Sequence, residues 1–171
     1  DALRRHHPSP HRLGCVLGQD SKHAGIVLPC AEMDLTVSGA VTGALSFNGQ
    51  RCTALKIFYV HASRTEEFLA KFSQAIAALP MGLPWKPGVK ITPLPVPGKV
   101  DELRGLVDEA VAKGARIANP RGGTYDRTLY YPTLMAGITA DMRLHTEEQF
   151  APVVPVVSYT DVAEAAAAVI A

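Results

Sequence analysis

The sequence predicts a three-layer α/β/α domain built on a mostly parallel sheet, and three observations carry that prediction. Short β-prone runs alternate with stretches whose apolar residues recur at helical spacing. The chain of 171 residues is 47% hydrophobic and 19% charged, which suits one folded domain with a substantial core. It also shows neither an internal repeat nor a low-complexity tract. Strands alternating with helices form right-handed βαβ units, with helices covering both faces of the sheet.

The elements follow in order. Gly25-Ile26-Val27-Leu28 is a short apolar strand closed by Pro29. A helix opens at Ala31-Glu32-Met33-Asp34, where acidic residues complement the macrodipole, and carries Val37, Val41, Ala44 and Leu45 on one face. It stops near Asn48-Gly49, and a buried strand is expected over Leu55 to His61. Ser63-Arg64-Thr65-Glu66 reads as a capping box for a helix with Phe68, Phe72, Ala75, Ile76 and Leu79 inward. A long Pro/Gly loop follows from Pro80 to Gly88. A helix over Lys99 to Lys113 presents Leu103, Leu106, Val107 and Ala110, with Gly114 as its stop. Arg116-Ile117-Ala118 is a brief strand, and Pro120 to Thr124 a turn. Leu129 to Met135 is extended, and Pro132 within it places this run nearer an edge than a centre. Val153 to Tyr159 is the last strand, and an alanine-rich helix runs from Thr160-Asp161 to Ala171.

Composition narrows the function. A formal net charge of +1 gives no reason to expect nucleic acid or a membrane surface as partner. No apolar run approaches the ~20 residues that span a bilayer. Cys15, Cys30 and Cys52 are odd in number and widely spaced, which argues against a secreted disulfide framework and for a reducing compartment. The expected location is intracellular, either cytoplasmic or in an organelle such as a mitochondrion or plastid. Residue 1 is not a methionine, so a processed or partial product is expected. Residues 1–22 read as an irregular basic arm, punctuated by Pro8 and Pro10, and residues 23–171 as the folded domain. A remnant of a targeting segment is one reading of the arm; an extended segment lying on something else is the plainer one.

The chemistry centres on Gly49-Gln50-Arg51-Cys52-Thr53-Ala54. An amphipathic segment, a glycine turn and a β-prone run present Cys52 at an end of the sheet, where such folds keep their chemistry. Arg51 beside it could favour the thiolate, the form that attacks. Most lone cysteines are packed thiols, the expectation for Cys15 and Cys30. His6, His7 and His11 with Cys15 offer an incomplete zinc set, and the intervening prolines oppose a shared helix face, so no metal is assigned. His61 and His145 read as ordinary surface or core residues.

Phe47-Asn48-Gly49-Gln50-Arg51-Cys52-Thr53-Ala54 resembles the active-cysteine signature of the aldehyde dehydrogenase superfamily. Glu147-Glu148-Gln149-Phe150-Ala151-Pro152 resembles its Glu-x-Phe-Gly-Pro motif, with alanine in place of glycine. Ala24 to Pro29 with Met33-Asp34-Leu35, and Ile91-Thr92-Pro93, Leu106 to Ala110, Lys113 to Ala115 and Asp141 to Arg143, fall in the family's order. Arg51 before the cysteine and Thr53-Ala54-Leu55-Lys56 after it look closest to the NADP-dependent, non-phosphorylating glyceraldehyde-3-phosphate dehydrogenases. Methylmalonate-semialdehyde dehydrogenases carry a similar Arg-Cys pair. The resemblance implies that Cys52 is the nucleophile and Arg51 the substrate-phosphate contact. It further implies that Glu148 bonds the nicotinamide ribose and that Phe150 lines the nicotinamide site. NADP is the implied cofactor, with NAD possible, and a small aldehyde the substrate.

The sequence departs from that pattern where the family's general base should lie. Val16 or Gly18 falls at the glutamate position, according to the gap placed, and Asp20 is the nearest acid. The family's dinucleotide-binding segments would precede and follow this stretch. The chain alone is therefore expected to turn over no substrate and to bind no NADP tightly. It is expected to associate with other protein chains, in an oligomer or a larger complex. The alternative reading is an aldehyde dehydrogenase domain retained as a structural or assembly subunit after its chemistry was lost.

Overall fold

The computed structural model describes residues 5–14 and 20–170. Cys15 to Gln19, which contain both candidates for the base position, lie outside the described residues, as do residues 1–4 and 171. The strands are β1 (Ala24–Val27), β2 (Ile57–His61), β3 (Arg116–Ile117), β4 (Tyr125–Asp126), β5 (Leu129–Tyr130), β6 (Thr133–Ala136) and β7 (Val153–Tyr159). The helices are α1 (Met33–Leu45), α2 (Thr65–Ala77), α3 (Lys99–Ala112), α4 (Arg143–Thr146) and α5 (Val162–Ile170). One sheet has the order β1-β2-β7-β6-β3, parallel except for its antiparallel edge strand β3. Strands β4 and β5 form a separate hairpin.

Both faces of the sheet are covered, which gives the three expected layers. Phe58 and Val60 of β2 face α1 and α2, where Phe68, Phe72 and Ile76 pack with Val37, Ala44 and Leu45. The rings of Phe58, Phe68 and Phe72 lie 5.4 to 6.0 Å apart, within range of favourable edge and tilted contacts. Met135 and Val153 face the other way, onto Leu103, Leu106, Val107 and Ala110 of α3 and Leu144 of α4. Ile57 and Tyr59 meet Ala165 of α5 on that second side. Alternate residues of β2 thus serve opposite layers, so the run reads as continuously apolar rather than alternating.

Three local expectations are corrected. The Leu129 to Met135 run does not form an edge: β6 lies between β7 and β3 and is paired on both sides. Pro132 precedes β6 instead of interrupting it, and Thr133 N–H bonds the Pro152 carbonyl at 2.9 Å as the ladder begins. Proline does occupy the central strand, at Pro155 of β7; pairing with β2 starts one residue later, at Val156. Cys30 is not packed but exposed, in the turn closed by the 3.1 Å bond from Ala31 N–H to the Leu28 carbonyl.

The capping box is the third. A 3-10 turn spans Ala62–Arg64, and α2 begins only at Thr65 without a side-chain cap. His61 Nδ1 meets Ser63 Oγ at 2.8 Å and accepts from Ser63 N–H at 3.3 Å, so the serine is drawn back to the strand end. Removing a true N-cap hydroxyl costs about 1 kcal/mol. Because this hydroxyl is exposed and caps nothing in α2, Ser63→Ala is expected to change stability by less than about 0.5 kcal/mol. Urea denaturation of the two proteins would settle the difference.

Candidate functional site

Three segments converge at one end of the sheet, and each immediately precedes a parallel strand. Residues 21–22 lead into β1, residues 51–56 into β2 and residues 147–150 into β7. The site therefore lies at the amino ends of the strands, opposite to the carboxyl-end position usual for open α/β sheets. In a βαβ unit the helix runs back against the strands, so the amino end receives helix C-termini. Carbonyl groups and the negative end of the macrodipole gather there, and cations are the natural counterpart.

The cysteine turn follows from the end of α1. The chain leaves the helix through a 3-10 turn at Ser46–Gly49, with Phe47 (φ 54°), Asn48 (φ 60°) and Gly49 (φ 69°) in the left-handed region. Asn48 is buried and exchanges bonds with Thr92, accepting from its N–H at 2.9 Å and donating to its hydroxyl at 2.9 Å. That exchange ties the turn to the Ile91-Thr92-Pro93 stretch. Gly49 then passes close to the second motif: a Cβ at this position would stand 2.8 Å from the Ala151 carbonyl oxygen. The two signatures meet here, backbone against backbone.

Cys52 is exposed on the resulting turn. Its carbonyl accepts from Ser21 Oγ at 2.6 Å and from Lys56 Nζ at 2.9 Å. Arg51 does not stand free as an anion receptor. Its Nη2 donates to the Gly43 carbonyl at 3.1 Å, so the guanidinium caps the last turn of α1. Its carbon Cζ lies 6.0 Å from the centroid of the exposed Phe47 ring, and its buried Nε lacks a partner among the described residues.

Glu148 is not a solvated charge. Its Oε1 lies 3.0 Å from Lys56 Nζ and accepts from Ser21 Oγ at 3.2 Å. Phe150 occupies a left-handed conformation (φ 39°), and its ring centroid is 5.9 Å from Lys56 Nζ. That conformation falls on Phe150 rather than on Ala151, so alanine in the glycine position of the motif meets no backbone conflict.

Lys56, Lys22, Ser21 and Gln149 complete the site, although the sequence reading gave them no role. Lys22 Nζ donates to the Glu147 carbonyl at 2.7 Å and to Gln149 Oε1 at 2.6 Å. Gln149 Nε2 in turn donates to the Lys56 and Val153 carbonyls at 2.8 and 2.7 Å. Burial, and then the nearby Lys56 charge, lower the Lys22 pKa to about 7, against the opposing pull of Glu148 and Glu147. Below the lysines, His145 Nε2 meets Tyr59 Oη at 3.2 Å, and burial followed by the Lys22 charge lowers the His145 pKa. One signal was available for Lys56: a lysine inside an apolar strand run is either a misplaced charge or a paired one. Lys22 carried no such signal, because it stands in a polar stretch, Gln19-Asp20-Ser21-Lys22-His23, where a charge is ordinary.

Among the described residues no cluster of three or more His, Cys, Asp or Glu could hold a metal ion, and no helix is long and apolar enough to cross a membrane.

Comparison with known proteins bears on this geometry. A family model described as the aldehyde dehydrogenase family matches residues 11–169. A protein of Mycobacterium ulcerans named succinate-semialdehyde dehydrogenase (NADP+) 1 is 41% identical over 143 residues, covering 82% of this chain and 31% of its own length. A protein of the same name from Mycobacterium tuberculosis is 40% identical over 142 residues, with the same coverage. The chain thus spans about a third of the length of the curated relatives it matches. Among solved structures, an NADP-dependent glyceraldehyde-3-phosphate dehydrogenase from Bacillus halodurans, complexed with NADP, superimposes with a TM-score of 0.82 at 34% identity. That match covers 87% of this chain and 31% of the other. A succinate-semialdehyde dehydrogenase from Burkholderia pseudomallei gives 0.83 at 27% identity, also over 87% and 31%.

Proposed function

This chain belongs to the aldehyde dehydrogenase family, and we propose that it carries the nucleophile and the cofactor-side carboxylate of an NADP-dependent oxidation of a small aldehyde. The observation that carries the reading is the joining of the two by Lys56, whose Nζ bonds both the Cys52 carbonyl and Glu148. In this reading the Cys52 sulfur adds to the aldehyde carbon and the carbonyl oxygen takes up a proton, giving a thiohemiacetal. Loss of hydride from that carbon and of the proton from its hydroxyl leaves a thioester, and water then releases a carboxylic acid and the free thiol. NADP, when bound, supplies the hydride acceptor.

The residues present suit that cofactor. Among the described residues both contacts of Glu148 fall on Oε1, and in this reading Oε2 accepts from a ribose hydroxyl. Phe150, on the same segment, is proposed to line the nicotinamide side.

The substrate is proposed to be an aldehyde with an anion at its far end. Succinate semialdehyde ends in a carboxylate and glyceraldehyde 3-phosphate in a phosphate, and a guanidinium suits either. Arg51 can serve only by giving up its cap on α1 or by using its other nitrogens, so its contact with substrate stands as part of the proposal. A partner chain is proposed as well. Phe47 and Trp85 are each 75% exposed, and Phe47 lines an apolar cavity of about 610 Å³ together with Val41, Leu45, Leu79, Pro84 and Val89.

The test is made on the native protein, isolated with whatever chains accompany it. NADPH formation is followed with each aldehyde, and covalent adducts at Cys52 are followed by mass spectrometry. Turnover with one of the two, lost in Cys52→Ser, is the expected result. Turnover that survives Cys52→Ser removes the nucleophile. Val16 or Gly18 at the base position favours a second reading, a domain retained for assembly alone. Absence of both turnover and adduct with either aldehyde would overturn the proposed oxidation of these substrates.

A further inference from the structure

Lys56 is the most enclosed charge among the described residues, with 2% of its side chain exposed, and the reaction outlined above assigns it no step. Burying an ammonium costs several kcal/mol unless its protons are taken up and its charge paired. Here five oxygens surround three protons. Arg51 O and Cys52 O lie at 2.9 Å, Glu148 Oε1 at 3.0 Å, Ser21 Oγ at 3.1 Å and Ala54 O at 3.4 Å. Three of the five are carbonyls of the cysteine turn, and the fourth and fifth belong to the other two segments of the site.

The backbone of Lys56 repeats the connection. Its N–H donates to the His23 carbonyl at 2.8 Å, and its own carbonyl accepts from Gln149 Nε2 at 2.8 Å. One residue therefore bonds the segments before β1, β2 and β7 at once.

We propose that Lys56 is a positioning residue: its ammonium fastens the Cys52 turn to Glu148, so that the nucleophile and the cofactor-side carboxylate keep one spacing. The role of this spacing in turnover rests on the reading of Cys52 and Glu148 given above; the clamp itself does not. Without the ammonium, the three turn carbonyls lose a shared donor and Glu148 loses its only cation within 4 Å among the described residues. Neighbouring strands do not hold either group, since both lie ahead of the paired residues.

Amide hydrogen exchange on the full chain, read by mass spectrometry, tests the clamp without requiring turnover. Lys56→Met keeps the aliphatic stem and is expected to accelerate exchange at least tenfold in both the 51–55 and the 147–150 peptides, while α3 keeps its protection. Lys56→Arg, which retains charge and reach, is expected to restore most of the protection in both. Glu148→Gln leaves the carbonyl contacts in place and is expected to loosen 147–150 alone. Unchanged exchange at either segment in Lys56→Met, or equal acceleration across α3, overturns the proposal. Should Lys56→Met fail to fold, continued protection of 147–150 in Glu148→Gln overturns it equally. If the clamp holds but turnover survives Cys52→Ser, the catalytic reading fails and the structural link stands.

Discussion

Gly49→Ala is expected to destabilise the protein by roughly 3 kcal/mol, a large share of the 5–15 kcal/mol that holds a typical domain together. Two effects act at the same atom. The residue sits at φ 69°, where a side chain costs about 1–2 kcal/mol. The added carbon would also lie 2.7 Å from the Ala44 carbonyl oxygen and 2.8 Å from that of Ala151. Neither neighbour is the far end of a flexible side chain, so relief requires backbone movement. One is the penultimate residue of α1 and the other begins the approach to β7, so the movement separates the two signatures. Urea denaturation measures the loss, and Cys52 alkylation relative to Cys30 reports whether the turn has shifted. A change below about 1 kcal/mol would mean that the close approach is not maintained in solution.

The contrast between Gly49 and Ala151 also bears on the departure from the family pattern. Alanine in place of the motif glycine reads, from sequence, as a sign of decay. In the fold the left-handed residue is Phe150, and the buried Ala151 presents its carbonyl to Gly49. The substitution therefore adds nothing to the case for a retired domain. The weight of that case moves to residues 16–18, which lie outside the described structure.

Much of the fold was legible because its helices are amphipathic: Leu103, Leu106, Val107 and Ala110 all point inward from α3, as their spacing requires. Strand β7 occupies the expected residues, since a β-branched run of that length has few alternatives. Position within the sheet was not legible. Pro132 suggested an edge, yet a proline immediately ahead of a strand imposes no such limit, and β6 is paired on both sides. Of the candidate site, Cys52 and Glu148 were proposed through their motifs. What connects them was not, because a lysine within an apolar run signals a paired charge without saying which oxygens pair it. Burial of a cation depends on carbonyls brought together by the sheet, and sequence spacing carries no trace of that convergence.

Lys22 gives the second large effect, and it appears as a pH dependence. Burial and the Lys56 charge hold its pKa at about 7 in the fold, whereas in the unfolded chain it returns to 10.5. Between these values the unfolded state binds the proton that the folded state has released, so stability rises with pH. The slope approaches about 1.4 kcal/mol per pH unit. Below pH 7 both states are protonated, the full penalty is present and this group adds no further slope. Tyr59, Tyr130 and Tyr159 are raised by burial and act in the opposite sense once unfolded tyrosines ionise near pH 10. The rise should therefore be clearest between about pH 7 and 9.5. In Lys22→Met the group is absent and the urea midpoint should be flat over that interval, whatever its value at pH 7. A midpoint equally flat in the unaltered protein would place Lys22 in solvent, and its bonds to Glu147 and Gln149 could then not be those that hold the segment beneath Glu148.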